Sequence, residues 1–129
     1  MGIYKVRAQN FVGEQNTKPG AGDGYGDCII TRPPGHLPTS AEYAVTVPVA
    51  GDYAFSISYA AAVPRPISIT VNGQQLNGNA ASASTGGWFE GNRVVEPQGI
   101  TPLNAGQNTF SFFRGDDIPH LHEFIFAGP

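Results

Sequence analysis

Charge is what this chain has least of. Asp, Glu, Lys and Arg make up only 13% of its 129 residues, 7 basic against 10 acidic, for a net charge of -3; about a quarter is usual. No basic cluster is available to neutralise a run of phosphates, so a nucleic-acid partner is not expected. Cysteine occurs once, which excludes an internal disulfide. Set between Gly26-Asp27 and Ile29-Ile30, Cys28 reads as a small buried hydrophobe at a strand start. No apolar run approaches the roughly 18 residues of a membrane helix. Nor does an apolar stretch follow the two basic residues of MGIYKVRAQN, so neither a membrane span nor a signal peptide is expected. Helical periodicity is missing as well: Gly or Pro interrupts every stretch that could carry apolar residues at i, i+3, i+4 and i+7.

Turn formers are plentiful instead. Gly 17 and Pro 11 accompany a chain that is 40% hydrophobic and 11% aromatic, too apolar for disorder, so they belong in the turns of one folded domain spanning residues 1–129. Apolar residues alternate. In GDYAFSISYA, Tyr53, Phe55, Ile57 and Tyr59 share one face; Tyr43, Val45 and Val47 do so in AEYAVTVPV, and Ile67, Ile69 and Val71 in PISITVNG, which ends in the hairpin pair Asn72-Gly73. Further strands are predicted over Tyr4 to Phe11, Asp27 to Thr31, Trp88 to Val95, Gln107 to Arg114 and Leu121 to Phe126. Residues 12–26 and 78–87 read as long irregular loops. Turn signals about every ten residues predict an all-β, antiparallel sandwich or barrel.

Two aromatics stand apart from the strands. Trp88, the sole tryptophan, follows Thr85-Gly86-Gly87, where an indole is either a core plug or an exposed platform. Tyr25, in GAGDGYGD, has little nearby in sequence to pack on. A flat aromatic face suits the apolar C–H face of a sugar, while carboxylates and amides suit its hydroxyls. The Phe residues 110, 112, 113, 124 and 126 have strand spacing and read as core; Phe89 faces away from Trp88, so one of the two goes inside.

The order of segments is also informative. VRAQNF, AEYAVTVPVAGDYAFSISYA, ITVNG, STGGW, TPLNAGQNTFSFF and HLHEFIF follow one another over essentially the whole chain. In this the chain resembles a carbohydrate-binding module of the family 6 and family 35 type, which implies a galactose-binding-like, antiparallel jelly-roll β-sandwich. The resemblance implies a non-catalytic, lectin-like site in the loops at one end, with Trp88 matching the Trp of the TGGW loop and Tyr25 standing for the early-loop aromatic. Asp23 or Asp27 could lie in the same cleft. His120 holds the place of a polar residue that bonds the sandwiched sugar, with Asp116 and Asp117 just before it, and Glu14 is the candidate acidic residue of the first long loop. The set carried forward for carbohydrate binding is therefore Glu14, Tyr25, Trp88, Asp117 and His120.

The chain also departs from that pattern. Where the family carries two glutamates that help bind a structural calcium, it has Arg7 and Gln9. A cation there repels Ca²⁺, so this site is expected to be absent, with Arg7 free to pair with Glu123. His120 and His122 share a strand face as in a metal-binding cupin, but the Glu and third His of that pattern are missing, so no metal is expected. His36, in RPPGHLP, reads as a solvated loop residue. Motifs of the G-x-S-x-G, P-loop and H-E-x-x-H kinds are absent, and Asp or Glu among glycines are turn formers first, so no enzyme is expected.

Two functions follow. One is binding of an oligo- or polysaccharide, with a linked glycoside hydrolase domain as candidate neighbour and an extracellular setting, as the resemblance implies. The alternative is a β-sandwich accessory domain that makes protein contacts and has lost sugar binding. An acidic sugar would be repelled by Asp23, Asp27, Asp116 and Asp117 unless Arg93 or Arg114 reached the site. Protonation of His120 would weaken binding near pH 5 to 6.

Overall fold

Alternation in the sequence becomes a two-sheet sandwich in the computed structural model, which describes residues 2–35 and 37–129. The strands among these residues are β1 (Gly2–Arg7), β2 (Gly13–Gln15), β3 (Thr17–Pro19), β4 (Ile29–Thr31), β5 (Thr39–Val47), β6 (Gly51–Ala60), β7 (Ile67–Val71), β8 (Gln74–Ala80), β9 (Val94–Leu103), β10 (Gly106–Arg114) and β11 (His120–Gly128). One sheet runs β3-β4-β11-β6-β9, with β1 also paired to β11; the other runs β2-β5-β10-β7-β8. The pairings are antiparallel. This is the all-β jelly-roll sandwich that the strand pattern and the segment order predict. The expectation for His36 lies outside the described residues.

The period of two decides what is buried. Tyr53, Phe55, Ile57 and Tyr59 of β6 are 0% exposed, and Tyr43, Val45 and Val47 of β5 and Ile67, Ile69 and Val71 of β7 are buried opposite them. The Phe124 ring joins the sheets, with its centroid 4.8 Å from Tyr43, 5.2 Å from Phe110 and 6.1 Å from Phe55. Tyr43 keeps its hydroxyl satisfied by donating to the Ala8 carbonyl at 2.8 Å, so burial leaves no lost hydrogen bond. Asn72 and Gly73, at φ 48° and 79°, make the expected two-residue turn between β7 and β8.

Asn108 is buried beside that turn. Its Oδ1 accepts from Asn72 Nδ2 (2.8 Å) and the Asn104 amide (2.9 Å), and its Nδ2 donates to the Asn104 carbonyl (2.9 Å) and the Gly106 carbonyl (3.2 Å). Asn108→Ala is expected to cost about 2 kcal/mol, read from the urea midpoint, because it removes a buried amide whose four hydrogen bonds tie the β7–β8 turn to the β9–β10 turn. A cost below about 0.5 kcal/mol would mean that the turn holds itself.

Several predicted boundaries move. The strand expected from Trp88 begins only at Val94, after a 3-10 turn at Glu90–Asn92. β9 then continues through Pro97 and Pro102, which it tolerates because it ends its sheet. Residues 12–26 are not wholly irregular, since they hold β2, β3 and a 3-10 turn at Ala21–Asp23, and β8 reaches into 78–80. Phe113 corrects the core list: next to Phe112 on β10 it must face the other way, and it is 52% exposed. Cys28 is buried and free, as expected, and burial pushes its thiol up from the usual range.

Candidate binding cavity

Two loops and the head of β11 converge at one end of the sandwich. Tyr25 rides on the β3–β4 loop, which is closed by the Gly20 amide bonding to the Cys28 carbonyl at 2.8 Å. Gly24 and Gly26, at φ 85° and 78°, turn the backbone sharply on either side of it. Trp88 rides on the β8–β9 loop, which is pinned to the end of β6. The Thr85 amide donates to the Ala61 carbonyl (2.7 Å), Thr85 Oγ1 accepts from the Ala61 amide (3.0 Å), and Ser84 Oγ donates to the Ala62 carbonyl (2.9 Å). The indole packs partly on the core while Phe89 is exposed, with its ring 5.3 Å from Tyr25.

His120, the first residue of β11, is buried between the two aromatics. Its ring centroid lies 4.2 Å from Tyr25 and 4.7 Å from Trp88. Nδ1 sits 2.8 Å from the Trp88 carbonyl, an acceptor only, so Nδ1 carries the proton and neutral Nε2 is left as an acceptor. Burial is the main cause that lowers this imidazole's pKa from the usual 6.5. Around these rings is a cavity of about 290 Å³, lined also by Thr31, Pro33, Pro34, Arg65 and Asp117. The structure thus brings Tyr25, Trp88, Asp117 and His120 together.

Glu14 is not among them. Its Oε2 accepts from the amide and hydroxyl of Thr17 at 3.0 and 2.7 Å, which hold the carboxyl below its usual range, and it borders a separate cavity of about 160 Å³ with Phe11 and Arg32. The spacing explains it: a carboxylate three residues before a threonine satisfies the local backbone. Asp23 pairs with Lys18 at 2.8 Å. Arg93 donates to the carbonyls of Asp27 (2.9 Å) and Tyr25 (3.4 Å), and Arg114 to those of Asp117 (2.8 Å) and Pro66 (2.9 Å). Both arginines brace loops.

The arginine in the cavity is Arg65, which sequence reasoning missed. Its Nη1 donates to the Ile118 carbonyl at 3.0 Å, and its Cζ lies 4.1 Å from the Trp88 ring centroid, within cation–π range. The only signal was a long cation between two prolines, Pro64 and Pro66, shortly after the alternating segment GDYAFSISYA.

Whether these residues could hold the structural calcium of the resembled family can be tested on their chemistry. Arg7 Nη2 lies 2.7 Å from Asp27 Oδ1, and the Gln9 amide donates to that same oxygen. Arg7 stands opposite Glu123 in the β1–β11 register, yet its hydrogen-bonded partner is Asp27, which corrects the expected Arg7–Glu123 pair. Calcium takes six to eight oxygen ligands; here two N–H donors point at a single carboxylate, and these residues do not fit the ion. His120 and His122 do not share a site either. A bulge separates Leu121 from Glu123, and His122 bonds Ser58 Oγ through Nδ1 at 3.0 Å. No group of three metal-ligating side chains occurs among the described residues, and no helix among them is long and apolar enough to cross a membrane.

No protein-family model matches the chain, and no curated protein matches it in sequence. Solved structures do match it. A family 35 carbohydrate-binding module from Clostridium thermocellum superposes with a TM-score of 0.77 at 21% identity, covering 100% of both chains. A family 35 module from Paenibacillus barcinonensis gives 0.76 at 18%, over 97% of this chain and 98% of that one. The C-terminal family 6 module of a marine laminarinase from Zobellia galactanivorans gives 0.73 at 16%, over 98% and 100%. The chain has the fold of these modules.

Proposed function

We propose that this chain, on the fold shared by family 35 and family 6 carbohydrate-binding modules, binds a saccharide without transforming it. The observation that carries the reading is the convergence of Tyr25, Trp88 and His120 on one open cavity. Tyr25 and Trp88 supply apolar ring surface, neutral His120 Nε2 accepts from a hydroxyl, and Asp117 and Arg65 offer an acceptor and a donor from the wall. Asp117 is the only carboxylate among the described lining residues, whereas glycoside hydrolysis ordinarily takes two. The partner is an oligo- or polysaccharide, encountered outside the cell and with a glycoside hydrolase as covalent neighbour, as in the laminarinase whose C-terminal module has this fold.

One observation favours the alternative of a protein-contacting accessory domain: Arg65 covers an indole face on which a sugar would stack. Affinity electrophoresis through gels carrying a panel of soluble polysaccharides separates the two. Trp88 is the sole tryptophan, so its emission reports on the cavity directly. Retardation by one glycan, with a shift in that emission, supports sugar binding. Retardation by none removes it and leaves the accessory domain.

The depressed imidazole sets a pH window. With its folded pKa below the unfolded 6.5, the His120 contribution to stability is complete above pH 6.5 and drains as the pH falls through the lower folded value. Since the neutral ring is the acceptor, affinity is expected to be flat from about pH 8 to 6.5 and to fall up to about tenfold only below that. Titration of binding against pH checks it; a decline already under way above pH 7 would contradict the role given to His120.

A further inference from the structure

Asp27 is held from both ends. Its carboxylate meets Arg7, at the end of β1, and the Gln9 amide; His122 Nε2 lies 3.9 Å from its other oxygen, and its carbonyl accepts from Arg93. Asp27 lies two residues beyond Tyr25, and Arg93 bonds the Tyr25 carbonyl as well. Whatever fixes Asp27 therefore fixes the loop that carries one wall of the cavity. We infer that the Arg7 guanidinium is a built-in cation that fastens the Tyr25 loop to the first strand, as a divalent ion held by carboxylates would, so that this chain needs no metal to shape its cavity. A guanidinium suits the task because it presents several N–H donors in a fixed fork and stays charged at any physiological pH. β1 anchors it through the pairing Arg7↔Glu123 on β11, whose first residue, His120, borders the cavity. Glu123 adds a second negative charge on that side. The functional half of the inference rests on the sugar-binding reading above; the structural half does not.

Thermal unfolding tests the structural half directly. Wild-type curves in millimolar EDTA and in millimolar CaCl₂ should coincide within about 1 °C, since an ion with no site gives no linkage. A rise of several degrees in calcium would overturn the inference. The charge-reversed double variant Arg7→Glu with Gln9→Glu places carboxylates around Asp27. It should melt about 5 to 10 °C below the wild type in EDTA and recover most of that loss in CaCl₂. A double variant as stable as the wild type in EDTA would also overturn it. Should the double variant fold in neither buffer, Arg7→Leu and Arg7→Lys decide. Leucine should weaken glycan retardation about tenfold and lower the melting temperature, while lysine, which keeps the charge but not the fork, should recover only part of both, and equal behaviour of the two would overturn the role. A wild type indifferent to calcium that binds no glycan would keep the built-in cation and discard the sugar reading.

Discussion

Trp88→Ala is expected to abolish the retardation produced by whichever glycan slows the wild type, a loss of at least about thirtyfold in affinity. Central aromatic anchors in binding sites are worth about 2 kcal/mol or more, and each 1.4 kcal/mol is a factor of ten. The size of the effect follows from what Trp88 touches. Its ring meets His120 at 4.7 Å and lies under Arg65 at 4.1 Å, so removing it takes away a ring surface, one side of the imidazole's packing and the platform of the guanidinium together. Because the indole also packs on the core, the variant should lose some stability, and a companion Trp88→Phe should recover much of it. Gel retardation of all three proteins, each first checked for folding, is the measurement. A folded Trp88→Ala protein that is retarded like the wild type would rule out Trp88 as the platform.

The second large effect is on stability. Phe124→Ala should cost about 4 kcal/mol, because it opens a cavity at the point where the rings of Tyr43, Phe55 and Phe110 meet across the two sheets. Domains of this size are stable by roughly 5–15 kcal/mol, so the melting temperature should fall by about 15 °C. Phe113→Ala is the control. The same truncation on an exposed ring of β10 should stay within about 0.5 kcal/mol. Urea midpoints that move equally for the two would mean that the inward and outward faces of the sheet have been misassigned.

That pair also marks how far the sequence could be read. Wherever one face is apolar and the other small or polar, as in Tyr53 to Tyr59, alternation alone names the buried residues. It fails where pattern and propensity conflict. β9 carries Pro97, Gly99 and Pro102, residues that argue against a strand until its place at a sheet edge is known. β2 and β3 are three residues each, too short to show a period. Phe113 was legible in principle, since two adjacent strand residues cannot both face inward.

The cavity divides in the same way. Tyr25 and Trp88 were legible because an isolated aromatic among glycines has no local packing to explain it. Arg65 was not, because a single arginine between prolines shows its role only when the end of β6 is folded against the Trp88 loop. Glu14 was drawn to the wrong place by its position in a long loop, although Thr17, three residues on, offered a nearer partner. Arg7 could be read as a departure from the calcium pattern, but its partner could not: Asp27 reaches it from a loop twenty residues away, and only the fold brings them together.

The prolines of β9 have a consequence beyond strand geometry. A β-sandwich at high concentration meets copies of itself, and a long bare sheet edge would then invite strand-to-strand aggregation. Pro97 and Pro102 remove two donors from the ten residues of β9, Asn77 Nδ2 occupies the Gln98 carbonyl at 3.1 Å, and Gly99 bends the edge where the β6 register shifts. The edge that made β9 hard to read is thereby a poor template for a neighbour's strand, so copies of this chain held close together stay separate along it.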